Sequence, residues 1–179
     1  MLAEQMNNRL QWIVLLMIGL LWGSQLLALD VGENAPDLEG TLYQDGKKTS
    51  ISALLKKGPM VLAFFSVTCY PCRLEAPLLS RLEQEYTKKG VTFLYVNVDD
   101  DSLRLKISAY LKITKSTLRV FLPNAEEAKA SYQAYGLPKL LLLNQGGQVI
   151  ASHEGFDRSL GESLERELSE LLAIARTKG

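Results

Sequence analysis

The chain contains two cysteines, Cys69 and Cys72, separated only by Tyr70 and Pro71. Directly before them runs the apolar stretch Met60-Val61-Leu62-Ala63-Phe64-Phe65, which reads as a buried strand. A strand leading into C-x-x-C, with a helix after it, puts the first sulfur at a helix N-terminus. There the unpaired backbone N–H groups and the helix dipole favour an anion. A thiolate is an anion, so the position favours the reactive form of Cys69 and makes it a nucleophile. Cys72, three residues on, lies on the same side of the first helical turn and can close a disulfide. The chemistry expected is exchange: Cys69 opens a substrate disulfide by forming a mixed disulfide, and Cys72 resolves it.

Other uses of the pair fit less well. A loop this short constrains the unfolded chain only weakly, so a purely structural disulfide gains little. Zinc needs about four ligands, and His153 is the sole histidine in the chain, so no metal is expected. Tyr70 and Pro71 fill the loop between the sulfurs, and the fixed backbone angle of Pro71 suits a first helical turn. No His or Lys stands between the cysteines to stabilise a thiolate further, which argues against a strong oxidant. Glu75 falls on the same helical face as the motif, where a negative carboxylate opposes thiolate formation. Asp99-Asp100-Asp101 reads as a helix cap with solvated charges, and His153 as a surface residue.

Around the motif, the elements alternate. Thr41–Tyr43 and the residues after Asp45-Gly46 read as two short strands, and Ser52–Lys57 as a short helix stopped by Gly58-Pro59. Leu74, Leu78, Leu82 and Tyr86 recur at i, i+4 spacing, which predicts an amphipathic helix ending near Gly90, with Pro77 kinking it. Val91–Val98 reads as a central strand, and a helix runs from the aspartates to about Lys112. Val120–Leu122 is a short strand, Ala125–Tyr135 a helix, and Lys139–Leu143 with Gln148–Ser152 a hairpin. Leu160, Leu164, Leu168, Leu171 and Leu172 mark a closing helix. This order predicts a three-layer α/β/α sandwich around a mixed sheet.

The 179 residues carry no net charge and nearly half are apolar, enough for one domain with a real core. No basic block points to nucleic acid. Before the domain, an uninterrupted apolar run from Trp12 to Gly23 and then Ser24–Ala28 fits a signal h-region or, taken as Leu10 to Leu29, a single-span anchor. Residues 1–29 are thus read as a signal peptide or membrane anchor and residues 30–179 as the domain. Export agrees with the presence of a disulfide pair.

Over Asp30–Lys178 the sequence resembles the thioredoxin superfamily, and within it the exported TlpA/ResA-like thiol-disulfide oxidoreductases. The segment Phe64–Pro77 carries that group's C-x-P-C followed by R-x-E-x-P. Tyr135-Gly136-Leu137-Pro138 entering a strand, then Gly146-Gly147 and Gly155, resembles the segment holding its cis-proline. The resemblance implies a thioredoxin-like fold with an N-terminal β-hairpin extension. It implies that Pro138 is cis, that Leu137 offers backbone to a substrate strand, and that Glu75 tunes the thiols or moves a proton. It also places Thr68, Tyr70 and Pro71 at the substrate groove.

Two positions depart from the group. Thr68 stands where Trp is usual, and Lys139 follows the proline where Thr is usual; both border the implied groove. Ala63 replaces the buried Asp of thioredoxin itself, as in many exported relatives.

The function expected from the resemblance is an exported reductant of protein disulfides, with cytochrome c maturation as one setting. Electrons would come from a membrane thiol transporter of the DsbD/CcdA kind, and no organic cofactor is needed. A periplasmic oxidant or isomerase, or a maturation factor like the accessory protein of methylamine dehydrogenase assembly, keeps the fold with other chemistry. A thioredoxin-fold module that captures cysteine-bearing partners without turnover is the non-enzymatic alternative. A peroxide-reducing role is weaker, because the P-x-x-x-T/S-x-x-C pattern is absent around both cysteines.

Overall fold

Met60–Phe65 is apolar at every position and buried at every position, as a strand covered on both faces must be. The computed structural model describes residues 29–177, so the expected leader lies outside the described residues up to Ala28. Seven strands form one mixed sheet: β1 (Glu39–Leu42), β2 (Lys48–Ser50), β3 (Met60–Phe65), β4 (Thr92–Asn97), β5 (Arg119–Pro123), β6 (Lys139–Leu143) and β7 (Val149–Glu154). Their order is β2-β1-β5-β4-β3-β6-β7. β3 pairs in parallel with β4, and β4 with β5, while β6 and β7 continue antiparallel on the other side. The N-terminal hairpin is present, and β1 pairs antiparallel with β5, so it widens the sheet.

The helices are α1 (Ile51–Leu55), α2 (Tyr70–Tyr86), α3 (Asp101–Arg104), α4 (Ile107–Thr114), α5 (Ala125–Tyr132) and α6 (Leu160–Thr177). On one face of the sheet, Val61, Ala63 and Phe65 join Cys72, Ala76, Leu79 and Leu82 of α2, Tyr110 of α4, and Leu164 and Leu168 of α6. On the other, Met60, Leu62 and Phe64 join Leu54 and Leu55 of α1 and Ala128 and Tyr132 of α5. The three-layer sandwich expected from the element order is therefore present. Among the described residues no helix is long and apolar enough to cross a membrane.

Several local expectations need correction. The buried face of α2 runs through Cys72, Glu75, Ala76, Leu79, Leu82 and Tyr86, while Leu74 is exposed. The expected stripe holds at Leu82 and Tyr86, but in the first turns it runs through Cys72, Ala76 and Leu79 in place of Leu74 and Leu78. Pro77 lies inside this helix, as expected. The stretch after the aspartates is two helices, separated at Leu105-Lys106, and α5 ends at Tyr132 where Gln133 turns left-handed. His153 is half-buried and lies 2.9 Å from Glu167 Oε2.

Two placements matter for the site. Cys69 follows the C-terminal end of β3. Ala35 donates to the carbonyl of Gly147, and Asn34 bridges to Gln148 in the β6–β7 turn, at the opposite end of β3. The chain therefore enters the domain at the end of the sheet remote from the cysteines.

Candidate active site

Cys69 is the N-cap of α2: its sulfur accepts a hydrogen bond from the Cys72 N–H at 3.2 Å. A sulfur in this position meets the unpaired donors of the first turn, as anion binding at a helix start requires. Cys69 and Cys72 are joined as a disulfide, with their Cα atoms 5.3 Å apart. The two sulfurs are not equivalent. Cys72 is fully buried, whereas Cys69 is half-buried beside Tyr70, which is 67% exposed. Only Cys69 is open to an incoming sulfur.

Beneath the disulfide lies an aromatic layer. Phe65 stacks on Tyr95 with ring centroids 4.1 Å apart, and Tyr110 packs against both. The Tyr95 hydroxyl donates to the Cys72 carbonyl at 3.1 Å. That use of its hydrogen leaves Tyr110 as the donor in the 3.1 Å contact between the two hydroxyls.

Glu75 is fully buried one turn beyond Cys72, and neither carboxyl oxygen has a hydrogen-bond partner. Burial pushes its pKa up to about 8. A carboxyl without a partner in a dry site stays neutral because ionisation there lacks solvation. This corrects the expectation of a negative charge opposing the thiolate: near pH 7 Glu75 is mainly protonated.

The loop from β3 to Cys69 is held from the side of β4. Asp99 is buried, and its carboxylate accepts from Ser66 Oγ at 2.6 Å, the Val67 N–H at 2.8 Å and Asn97 Nδ2 at 2.7 Å. The aspartate run is therefore not uniformly solvated. Asp100 is the cap of α3, bonded by the Ser102 and Leu103 amides, while Asp99 belongs to the cysteine loop. Thr68 is exposed, and its hydroxyl lies 2.8 Å from Ser66 Oγ. Sequence reasoning missed Ser66, Val67, Tyr95, Asn97, Asp99 and Tyr110. The polar ending Asn97-Val98-Asp99 on an otherwise apolar strand was the available signal.

The Leu137–Pro138 bond is cis. Lys139 pairs with Phe64 across the sheet, so β6 carries Pro138 to the same end as the cysteines. The Pro138 carbonyl is held by the Gly155 N–H at 2.8 Å. Leu137 and Cys69 both pack on the apolar cluster that contains Cys72. Lys139 does not present its side chain to a groove: it is buried, with Nζ 3.1 Å from Glu154 Oε1. Tyr70, Pro71 and Thr68 are exposed around Cys69.

A sandwich of this topology, with a C-x-x-C disulfide capping its second helix and a cis-proline at the same sheet end, defines a thioredoxin-fold redox protein. The sequence model of the Redoxin family matches residues 30–168, and the chain belongs to that family. Among curated relatives it is 26% identical over 154 residues to the thiol-disulfide oxidoreductase ResA of Bacillus subtilis, covering 85% of this chain and 81% of ResA. It is 34% identical over 111 residues to a Helicobacter pylori protein assigned as the peroxiredoxin bcp, covering 60% and 68%. Its fold is shared with a solved Chlorobium tepidum structure assigned as a thiol:disulfide interchange protein DsbE. That match has a TM-score of 0.72 and 24% identity, over 80% of this chain and 99% of that one. The chain is a ResA-like thiol-disulfide oxidoreductase.

Proposed function

We propose that this protein is an exported reductant of protein disulfides, with Cys69 as the attacking thiol and Cys72 as the resolving thiol. The observation that carries the reading is the unequal burial of the two sulfurs at the start of α2. In the reduced protein the Cys69 thiolate attacks one sulfur of a substrate disulfide, and the other substrate sulfur leaves as a thiol after taking a proton. Cys72 then attacks Cys69, releases the second substrate thiol, and leaves Cys69–Cys72 oxidised. Two electrons and two protons pass to the substrate.

Glu75 supplies or accepts the proton at Cys72. It follows Cys72 at i, i+3, on the same helical face. A carboxyl near 8 matches an ordinary cysteine thiol at about 8.5, so proton transfer in either direction costs little. Leu137 and Pro138 provide the edge on which an extended substrate lies, and Thr68, Tyr70 and Pro71 line its path to Cys69. The redox-active disulfide is the only redox group this chemistry needs.

Export rests on the apolar run Trp12–Gly23 and on the use of a disulfide. A membrane thiol transporter of the DsbD/CcdA kind would return the protein to its dithiol form, and cytochrome c maturation is the setting that the resemblance to ResA favours. The cysteines lie at the sheet end remote from the N-terminal entry, so an anchor there leaves them accessible.

The test is a trap. Cys72→Ala should accumulate a mixed disulfide through Cys69 with a peptide disulfide, and Cys69→Ala should not. Equal trapping by both variants, or by neither, would refute the assignment. Consumption of hydrogen peroxide by the wild-type protein at the rate of peptide-disulfide reduction would favour the peroxidase chemistry of the Helicobacter pylori relative.

A further inference from the structure

Val67 is gripped at both ends by opposite charges. Its N–H donates to Asp99 Oδ2 at 2.8 Å, and its carbonyl accepts from Arg73 Nη2 at 3.0 Å. Asp99 comes from the end of β4 and Arg73 from the first turns of α2, directly after Cys72. Cys69 is two residues beyond Val67, so both charges stand within roughly 10 Å of it along a chain that spans at most about 3.5 Å per residue. Asp99 is buried, where its field is little screened, while Arg73 is exposed and more screened. Ser66 Oγ ties the same carboxylate to Thr68: it donates to Asp99 and so accepts both the Thr68 N–H, at 3.2 Å, and the Thr68 hydroxyl.

We propose that Asp99 and Arg73 are positioning residues that set the poise of the Cys69–Cys72 couple by acting on it with opposite sign through the Val67 loop. Negative charge at Asp99 disfavours the Cys69 thiolate and so favours the disulfide, holding the protein on the reducing side. Positive charge at Arg73 does the reverse. The other acid under the motif, Glu75, is mainly neutral near pH 7 and leaves the balance to this pair. The inference rests on the reductant reading above and gives it a physical source.

The experiment equilibrates the full-length protein with glutathione at pH 7. Two glutathione molecules are oxidised to one glutathione disulfide for each Cys69–Cys72 disulfide reduced. Asp99→Asn should shift the equilibrium toward the dithiol by 3- to 10-fold, at most about 30 mV. Arg73→Gln should shift it about 2-fold the other way. A change that only loosened the loop would move both variants in the same direction, and that result, or no movement in either, overturns the proposal. If Asp99→Asn does not fold, the series wild type, Arg73→Gln, Arg73→Glu decides: the potential should fall at each step, and a flat series overturns the proposal. A disulfide that no thiol buffer reduces would refute the oxidoreductase reading itself, a result separable from a reducible couple with unchanged potential.

Discussion

Glu75 lies one helical turn beyond Cys72 on the buried face of α2, and neither of its carboxyl oxygens is hydrogen-bonded. This places an unpartnered acid one turn from the resolving cysteine, beside an apolar and aromatic cluster that includes Phe65, Ala76, Tyr95 and Tyr110. A group so placed costs stability whenever it must ionise. That cost is tolerated where it serves chemistry.

The first prediction concerns stability against pH. Glu75 titrates near 8 in the folded chain and near its ordinary value of 4.5 when unfolded. Between those values the native state holds a proton that the unfolded state has lost, so stability falls as pH rises from about 4.5 to 8. The full loss is on the order of 5 kcal/mol. Urea melts of the oxidised protein at pH 5 and pH 8 should show this decline, and Glu75→Gln should flatten it. An unchanged slope in the variant would show that another group is responsible.

A second prediction separates proton transfer from folding. With Glu75→Gln, reduction of the Cys69–Cys72 disulfide by dithiothreitol should slow by roughly 100-fold or more, as loss of a positioned proton donor does. The wild-type profile should bend near pH 8, and the variant's remaining rate should lose that bend. Retention of that bend would assign it to a thiol.

Alkylation of the reduced protein should be ordered by burial. Cys69 should react with iodoacetamide at neutral pH, while Cys72, fully buried, reacts only as fast as the domain opens. Mass spectrometry of partly alkylated protein gives the ratio directly. Equal labelling would mean that the start of α2 melts on reduction.

Tyr95→Phe removes the donor to the Cys72 carbonyl and the acceptor of Tyr110. Leaving the Tyr110 hydroxyl without its acceptor, and the Cys72 carbonyl with only its helical N–H partner, should cost about 1–3 kcal/mol, measured by thermal or chemical melts. Tyr110→Phe removes a donor and leaves Tyr95 bonded to Cys72, so it should cost less.

Much of this arrangement was legible in the sequence because it is local. The strand into C-x-x-C, the helix after it and the order of elements follow from apolar runs and turn residues. The cis bond at Pro138 was reached only through resemblance, since nothing in Leu137-Pro138 itself favours that isomer. What sequence missed is long-range. Asp99 reads as one of three adjacent aspartates, and only the parallel pairing of β3 with β4 brings it to Ser66 and Val67. Glu75 reads as a charged carboxylate beside the thiols until the buried stripe of α2 is seen to run through Cys72, Glu75 and Ala76 instead of Leu74, which leaves it dry and neutral. Lys139 reads as a groove residue, yet strand alternation turns it toward the other face.

The most direct test of the account is the equilibrium reduction potential of Cys69–Cys72 in the full-length protein. A value well below about −220 mV is predicted for a dedicated reductant. A value near about −120 to −180 mV, the range of oxidants and isomerases, would contradict it and assign the protein to disulfide formation or shuffling.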